Sequence, residues 1–240
     1  MTAPDELWFH PLSSYCHKVL VALYEMGTPF TPRLINLGDP ADRADVLAAW
    51  PLGKIPLLRE VATGRMVVES TVIIEHVQRR AIAPGAGAAT AATSQLLPGD
   101  DAEACEAVRL WDRVMDLHVH APMQKIVGDR LRPEGERDPR GVADARDALA
   151  TAYGLLEAQL GAHGGPWLTG ERFTLADCAA ASALFYATVV APVGEPARSP
   201  RLLAYLERLM ARPSVARTLE EAGPYFQYFP YRDLLPARWR

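Results

Sequence analysis

The order of strand-like and helix-like segments constrains the fold of this chain more than any other feature. Residues 7–80 alternate short apolar runs with segments that have helical apolar spacing. Strands are predicted at 7–10, 30–36, 56–59 and 65–68, and helices at 13–26, 41–50 and 69–80. Beyond residue 100 only helical patterns remain, at 102–127, 141–160, 174–190, 200–210 and 213–222. The pattern predicts an α/β domain followed by an all-α bundle.

A stretch of small, uncharged residues separates the two predicted domains. Residues 81–99 read AIAPGAGAATAATSQLLPG and are punctuated by proline and glycine. This composition offers little apolar bulk to bury, so it predicts a linker or mobile loop. We therefore expect a first domain at 1–82, a linker at 83–99 and an all-helical domain at 100–240.

Charge and terminal composition argue against several classes of partner. The net charge is −4 and the basic residues are scattered, which gives no electrostatic footprint for nucleic acid. The acidic start lacks the basic segment and apolar run of a signal peptide. The uncharged run 178–194 contains Pro192 and predicts a buried central helix in place of a membrane span. We expect a cytoplasmic protein with no nucleic-acid or membrane partner.

The cysteines and histidines do not form a metal-binding pattern. The three cysteines are widely spaced and lack the spacing of a zinc site. His118 and His120 lie two residues apart on a predicted helix, so they point to nearly opposite sides and cannot share one ion. No metal is therefore expected.

The turn between the first strand and the first helix carries side chains suited to thiol chemistry. It reads Ser13-Ser14-Tyr15-Cys16, at a helix start whose free N–H groups favour an anion. A serine hydroxyl at this point can donate a hydrogen bond to the thiolate of a bound thiol. Ser13 is the first candidate for this role, Ser14 the second and Tyr15 a weaker one. Either serine could simply be a helix N-cap, and Cys16 could be a core residue or a nucleophile.

Three further segments make the chain resemble the glutathione transferases. They read Pro51-Leu52-Gly53-Lys54-Ile55-Pro56, Glu69-Ser70-Thr71 and Gly170-Glu171-Arg172-Phe173-Thr174-Leu175-Ala176-Asp177. Ser13 also lies five residues before the basic Lys18, as in the serine-type enzymes of that family. The resemblance implies an α/β, thioredoxin-like N-terminal domain plus an all-α, helical-bundle C-terminal domain.

The resemblance also implies which residues hold glutathione. The segment Lys54, Ile55 and Pro56 would contact the cysteinyl part, with a cis-proline exposing the main chain of Ile55. Ser70 would hold the γ-glutamyl carboxylate and Glu69 would pair with its ammonium group. On local grounds Pro56 could be an ordinary strand-edge proline, because the cis assignment rests on the resemblance alone, and Ser70 could equally be a plain helix cap.

The implied function is activation of the glutathione thiol for attack on a small hydrophobic electrophile. Glutathione would be a co-substrate, and the family resemblance implies a homodimer and a role in detoxification. Two alternatives are a glutathione-dependent isomerase or dehalogenase and a non-catalytic binding protein with the same fold. A dithiol reductase is disfavoured because Ser13 stands where such enzymes have their first cysteine.

Two features concern folding alone. Thr174 and Asp177 have the spacing of a capping box at the start of the predicted central helix. The segment 225–231 is too aromatic for a solvated terminus, so we expect it to pack onto the body of the protein.

Overall fold

A four-stranded mixed sheet organises the first part of the computed structural model, which describes residues 3–82, 95–99 and 101–239. Its strands are β1 Glu6–Phe9, β2 Thr31–Leu34, β3 Leu57–Arg59 and β4 Met66–Val68, in the order β2-β1-β3-β4. Strand β1 runs parallel to β2 and antiparallel to β3, and β3 runs antiparallel to β4. This topology confirms the predicted thioredoxin-like fold of the first part.

Three helices accompany the sheet: α1 Ser14–Glu25, α2 Pro40–Ala49 and α3 Ser70–Ala81. Successive side chains of a strand point to opposite faces, so Leu7 and Trp8 face different helices. Trp8 packs with Leu57 and with Val46 of α2. Helix α3 packs against α1, β3 and β4. The strands β1 and β3 are therefore largely buried between helix faces, while most of β2 is exposed.

The described end of the predicted linker is packed onto helix α3. Residues 83–94 of the predicted linker lie outside the described residues, but Leu96 and Leu97 are buried. The side chain of Gln78 holds both leucines in place. Its Oε1 accepts hydrogen bonds from the Leu96 and Leu97 backbone N–H groups, at 2.7 and 3.0 Å, and its Nε2 donates one to the Leu97 carbonyl. The described residues divide into one compact unit within 1–97 and another within 98–240.

The second unit is helical. It contains α4 Ala102–Val114, α5 Ala121–Arg130, α6 Pro139–His163, α7 Leu175–Val190, α8 Pro200–Ala211 and α9 Pro213–Ala222. Short 3₁₀ turns follow at Gly223–Tyr228, Arg232–Leu234 and Ala237–Trp239. This confirms the predicted helical character of the second part.

A π-helical segment, Met115–His120, interrupts the single helix predicted at 102–127. Pro122 follows it and lacks the N–H that an α-helix would donate to the carbonyl four residues earlier. A wider turn before the proline accommodates this missing donor. The segment leaves His118 exposed and His120 buried, on different sides of the helix.

Helix α7 lies at the centre of the second unit and is buried along nearly its whole length. Its alanines let neighbouring helices approach closely, while Phe185 and Tyr186 provide apolar bulk. The aromatic tail packs here, with the Phe226 ring 5.7 Å from Phe185 and the Phe229 ring 5.2 Å from Tyr186. The predicted packing of the tail is confirmed.

Among the described residues, no helix is long and apolar enough to cross a membrane.

A buried histidine in the first unit makes stability depend on pH. His76 is 5% exposed, its Nε2 lies 3.0 Å from Glu60 Oε1, and Arg79 contacts its Nδ1. Burial lowers the pKa of His76 below the usual 6.5, although Glu60 partly opposes this shift. Arginine can only donate, so its contact with Nδ1 also requires the neutral ring. The unfolded chain therefore binds this proton more readily than the folded protein.

We expect the free energy of unfolding of the wild type to decrease as the pH falls from about 8 to about 5. In His76→Gln this decrease should be smaller, because glutamine does not titrate. The contribution of His76 is complete above the unfolded pKa and is lost as the pH falls through the folded pKa. The pKa of Glu60 is lowered, chiefly by its hydrogen bond from Thr63, so Glu60 stays ionised over this range. Urea unfolding of both proteins across the range measures the difference. Parallel pH profiles would contradict the assignment to His76.

Candidate active site

The three segments with predicted site residues follow or precede neighbouring strands at one end of the sheet. Trp8 of β1 lies opposite Leu57 of β3, and Leu57 lies opposite Val68 of β4. The chain leaves β1 towards Ser13, enters β3 from Pro56 and leaves β4 towards Glu69. In an antiparallel pair, the C-terminal end of one strand lies beside the N-terminal end of the other. All three segments therefore meet at the same end of the strands, which we call the sheet edge. The sheet thus brings them together from distant parts of the sequence.

The head of helix α1 presents the hydroxyl group of Ser13. Ser13 is the N-cap residue, and its Oγ accepts a hydrogen bond from the Cys16 N–H at 3.3 Å. The cap uses the oxygen as an acceptor, and the hydroxyl also hydrogen-bonds with the Cys16 thiol, which can supply the proton of that bond while it is un-ionised. Capping and donation to a ligand are therefore compatible at Ser13. Ser14 is only 1% exposed, which makes its hydroxyl less accessible than that of the half-buried Ser13.

Cys16 lies inside the unit, below Ser13. It is fully buried, and this burial raises the pKa of its thiol to about 12, although hydrogen bonds with Ser13 and the His10 backbone oppose the shift. A thiol with this pKa is protonated at neutral pH, whereas the nucleophilic form is the thiolate. The environment favours the core interpretation of Cys16.

The loop before strand β3 carries a cis peptide bond between Ile55 and Pro56. Pro56 is buried, Ile55 is half-buried and Lys54 is exposed. Within the described parts of the chain, no hydrogen bond engages the backbone N–H or C=O of Ile55. The loop therefore presents a free main-chain donor and acceptor, as the family resemblance implies.

The head of helix α3 lies after β4 and has no side-chain cap from its N-cap residue, Glu69. The first backbone bond of the helix runs from Ile73 to the Glu69 carbonyl, so the preceding N–H groups lack intrahelical acceptors. Ser70 is 6% exposed, and its hydroxyl has no partner among the described residues. N–H groups and a hydroxyl at a helix start form an arrangement that binds a carboxylate.

Glu69 has a backbone conformation that is unusual for a residue other than glycine. Its φ is 69° and its ψ is 126°, while its side chain is exposed. Such conformations cost on the order of 1–3 kcal/mol and cluster at ligand-binding sites. The turn aims the chain from β4 directly into α3, with the Glu69 carboxylate at the helix entrance.

In the sequence, Lys18 mattered only for its spacing from Ser13, but in the structure it lies inside the first unit. Lys18 is fully buried on α1, and its Nζ donates to Thr71 Oγ1 at 2.9 Å. Lys18 is the fifth residue of α1 and Thr71 the second of α3, so this bond joins the second turn of α1 to the first turn of α3. The available signal was a single lysine among the apolar residues of a short helix.

Comparisons with known proteins agree with this arrangement. Residues 12–80 match the family model of the glutathione S-transferase N-terminal domain, and residues 136–208 match that of the C-terminal domain. FtsZ-localized protein A of Caulobacter vibrioides is 31% identical over 194 residues, which cover 77% of each chain. Glutathione S-transferase GstB of Escherichia coli is 26% identical over 215 residues, covering 89% of this chain and 96% of that protein.

A solved structure shares the fold over nearly the whole chain. The glutathione S-transferase of Methylobacillus flagellatus, crystallised with glutathione bound, has a TM-score of 0.75 and 26% identity, and the match covers 89% of this chain and 98% of that one. The two family models together match more than half of the sequence. This chain belongs to the glutathione S-transferase family.

Proposed function

We propose that this protein is a glutathione transferase that activates the glutathione thiol for attack on a small hydrophobic electrophile. The observation that carries the proposal is the half-buried Ser13 hydroxyl at the head of α1, whose oxygen caps the helix. Support also comes from the structurally similar Methylobacillus flagellatus protein, which has glutathione bound. A serine donor at a helix start suits a thiolate better than a thiol.

In this proposal each segment of the sheet edge binds one part of glutathione. The free main chain of Ile55 pairs with the cysteinyl backbone, while Pro56 shapes the loop and Lys54 supplies positive charge for a carboxylate. The head of α3, with Ser70, accepts the γ-glutamyl carboxylate, and Glu69 pairs with the ammonium group. These contacts place the thiol beside Ser13.

The proposed reaction is a nucleophilic substitution or addition by sulfur. Hydrogen bonding from Ser13 stabilises the thiolate after its proton has passed to solvent. The sulfur lone pair then forms a bond to the electrophilic carbon, and a leaving group departs with its electron pair where the substrate carries one. In this scheme binding energy holds the thiolate in an attacking position.

Calorimetry of glutathione binding by the full chain, together with a conjugation assay on an activated aryl halide, tests the proposal. We expect saturable binding and glutathione-dependent formation of the thioether. If the protein bound no glutathione at millimolar concentration, the transferase proposal would be overturned. The homodimer and the cytoplasmic location remain predictions, and light scattering during size-exclusion chromatography measures the first.

Cys16→Ser is expected to leave kcat/KM nearly unchanged, because the buried thiol does not take part in this mechanism. Conjugation kinetics of the variant measure this, with Cys16→Ala as a second replacement in case a buried hydroxyl disturbs packing. A nucleophilic role for Cys16 would instead abolish activity in both variants. That result would favour a mixed-disulfide reaction of Cys16 with glutathione.

A second candidate is a non-catalytic binding protein built on the same fold. The specific observation in its favour is the 31% identity to FtsZ-localized protein A, whose name describes a location and no reaction. This candidate predicts that glutathione binds weakly or not at all, or binds without any turnover of a panel of electrophiles. The calorimetry and conjugation assays therefore separate the two candidates.

A further inference from the structure

Lys18 is an unusual residue for the inside of this protein. Helix α1 has apolar neighbours at Val19, Leu20 and Leu23, and all of them are buried like Lys18 itself. Burying a lysine costs free energy unless its polar end is well bonded, and an apolar side chain of similar length would pack here without that cost. The chain has only three lysines among its 25 basic residues, yet one of them occupies this place. The position calls for a reason beyond packing.

The placement of the Lys18 amino group supplies that reason. Side chains on a helix lean towards its N-terminus, so the Lys18 side chain extends towards the head of α1. There its Nζ donates to Thr71 Oγ1 at 2.9 Å. Thr71 belongs to the first turn of α3, next to Ser70 and the positive-φ residue Glu69. The hydrogen bond thus links the helix that carries Ser13 to the helix start that is free to hold a carboxylate.

We infer that Lys18 is a positioning residue for glutathione, which acts through Thr71 to hold the head of helix α3 where it binds the γ-glutamyl carboxylate. The inference rests on the function proposed above. The head of α3 has no side-chain cap from Glu69, so its local position depends on packing and on bonds such as this one. A shift of about 1 Å in a binding group can cost a hundredfold in rate, and it also lengthens the hydrogen bonds of that group to the ligand, which weakens binding. A lysine suits the role because its compact ammonium group can bond a single oxygen in a narrow space. The planar guanidinium group of arginine is larger and carries five N–H donors.

Four variants separate this role from simple packing. Lys18→Met keeps a linear side chain and removes the amine, and Thr71→Val keeps the branched shape and removes the hydroxyl. Thr71→Ser keeps the hydroxyl and serves as the conservative partner of Thr71→Val. Lys125→Met is the matched control, because Lys125 lies in the second unit and forms a partly exposed ion pair with Asp138.

Calorimetry should show that glutathione binds about tenfold more weakly to Lys18→Met and several-fold more weakly to Thr71→Val. Thr71→Ser and Lys125→Met should bind like the wild type. The double variant Lys18→Met/Thr71→Val should bind no more weakly than Lys18→Met, because both changes remove the same bond. The pKa of the bound glutathione thiol should stay unchanged in Lys18→Met, because its activation depends on Ser13.

Several outcomes would overturn the inference. They are unchanged affinity in Lys18→Met, additive losses in the double variant, or a raised pKa of the bound thiol in Lys18→Met. If Lys18→Met does not fold, equal affinities of Thr71→Val and Thr71→Ser would overturn it by themselves. A wild type that binds no glutathione would defeat the proposed function as well, whereas a binding wild type with a normal Lys18→Met defeats this inference alone.

Discussion

Ser13→Ala is expected to lower kcat/KM for conjugation by about a hundredfold or more. This is the usual effect of removing one hydrogen-bond donor to an anion at an active site. The alanine removes a hydroxyl whose described contacts are the cap to the Cys16 N–H and a hydrogen bond with the Cys16 thiol, so no contact outside the helix head is lost with it. The pKa of the bound glutathione thiol should rise towards its value in solution. Thiolate absorbance measured against pH follows that change directly, while calorimetry shows whether binding itself persists.

The same substitution at Ser14 separates the two serine candidates. Ser14 is 1% exposed, so Ser14→Ala should affect stability more than the bound thiol. Loss of the helix cap in Ser13→Ala costs about 1 kcal/mol of stability, and an assay well below the unfolding temperature keeps that effect apart from catalysis. If Ser14→Ala raised the thiol pKa and Ser13→Ala did not, the roles would be exchanged.

Asp177→Ala is expected to destabilise the second unit by about 3–5 kcal/mol, because several buried donors lose their common acceptor and each buried donor left unpaired costs about 1–3 kcal/mol. Asp177 is fully buried at the start of α7. Its carboxyl oxygens accept from the Leu168 and Thr174 backbone N–H groups at 2.9 and 2.8 Å, and from the Thr174 and Tyr205 hydroxyls at 3.0 and 2.6 Å. The alanine leaves these donors buried without an acceptor. Urea unfolding of the full chain measures the loss.

Tyr205→Phe is the control for that prediction. It removes one of the donors and leaves the capping box of Thr174 and Asp177 in place, so we expect a loss of only about 1–2 kcal/mol. The glutathione affinity of the folded molecules should be unchanged in both variants, because Asp177 lies in the second unit and we assign it a folding role. A loss of about 1 kcal/mol or less in Asp177→Ala would show that water or rearranged neighbours satisfy these donors.

Much of the fold and of the candidate site could be predicted because the signals are local. A capping box needs residues only three positions apart, and the predicted pairing of Thr174 with Asp177 is confirmed. The order of strands and helices follows from short apolar periods, and the sheet then places Ser13, Ile55 and Glu69 at one edge. The chemical roles of these residues stay predictions until glutathione binding is measured.

The features that were not predicted depend on contacts between distant residues. Lys18 is buried where α3 presents Thr71 to it, and a single helix pattern does not show which neighbour it will meet. Leu96 and Leu97 lie in a segment of small residues that predicts a linker. In the structure their backbone N–H groups bond to the side-chain amide of Gln78, which holds them against α3. The π-helical turn lets the helix continue to Pro122, which lacks an N–H donor. The sequence shows the proline, but it does not show whether the helix will end, kink or widen there.

The meeting of three strand ends at one edge of the sheet has a thermodynamic consequence. No continuous segment of the chain contains the candidate site, so the site exists only while β1, β3 and β4 are paired. A ligand bound there must then stabilise the folded unit against unfolding, by about 2.7 kcal/mol when its free concentration is 100 times Kd. Under the proposed function, the supply of cellular thiol would influence which fraction of the molecules is folded, as well as how fast each one works.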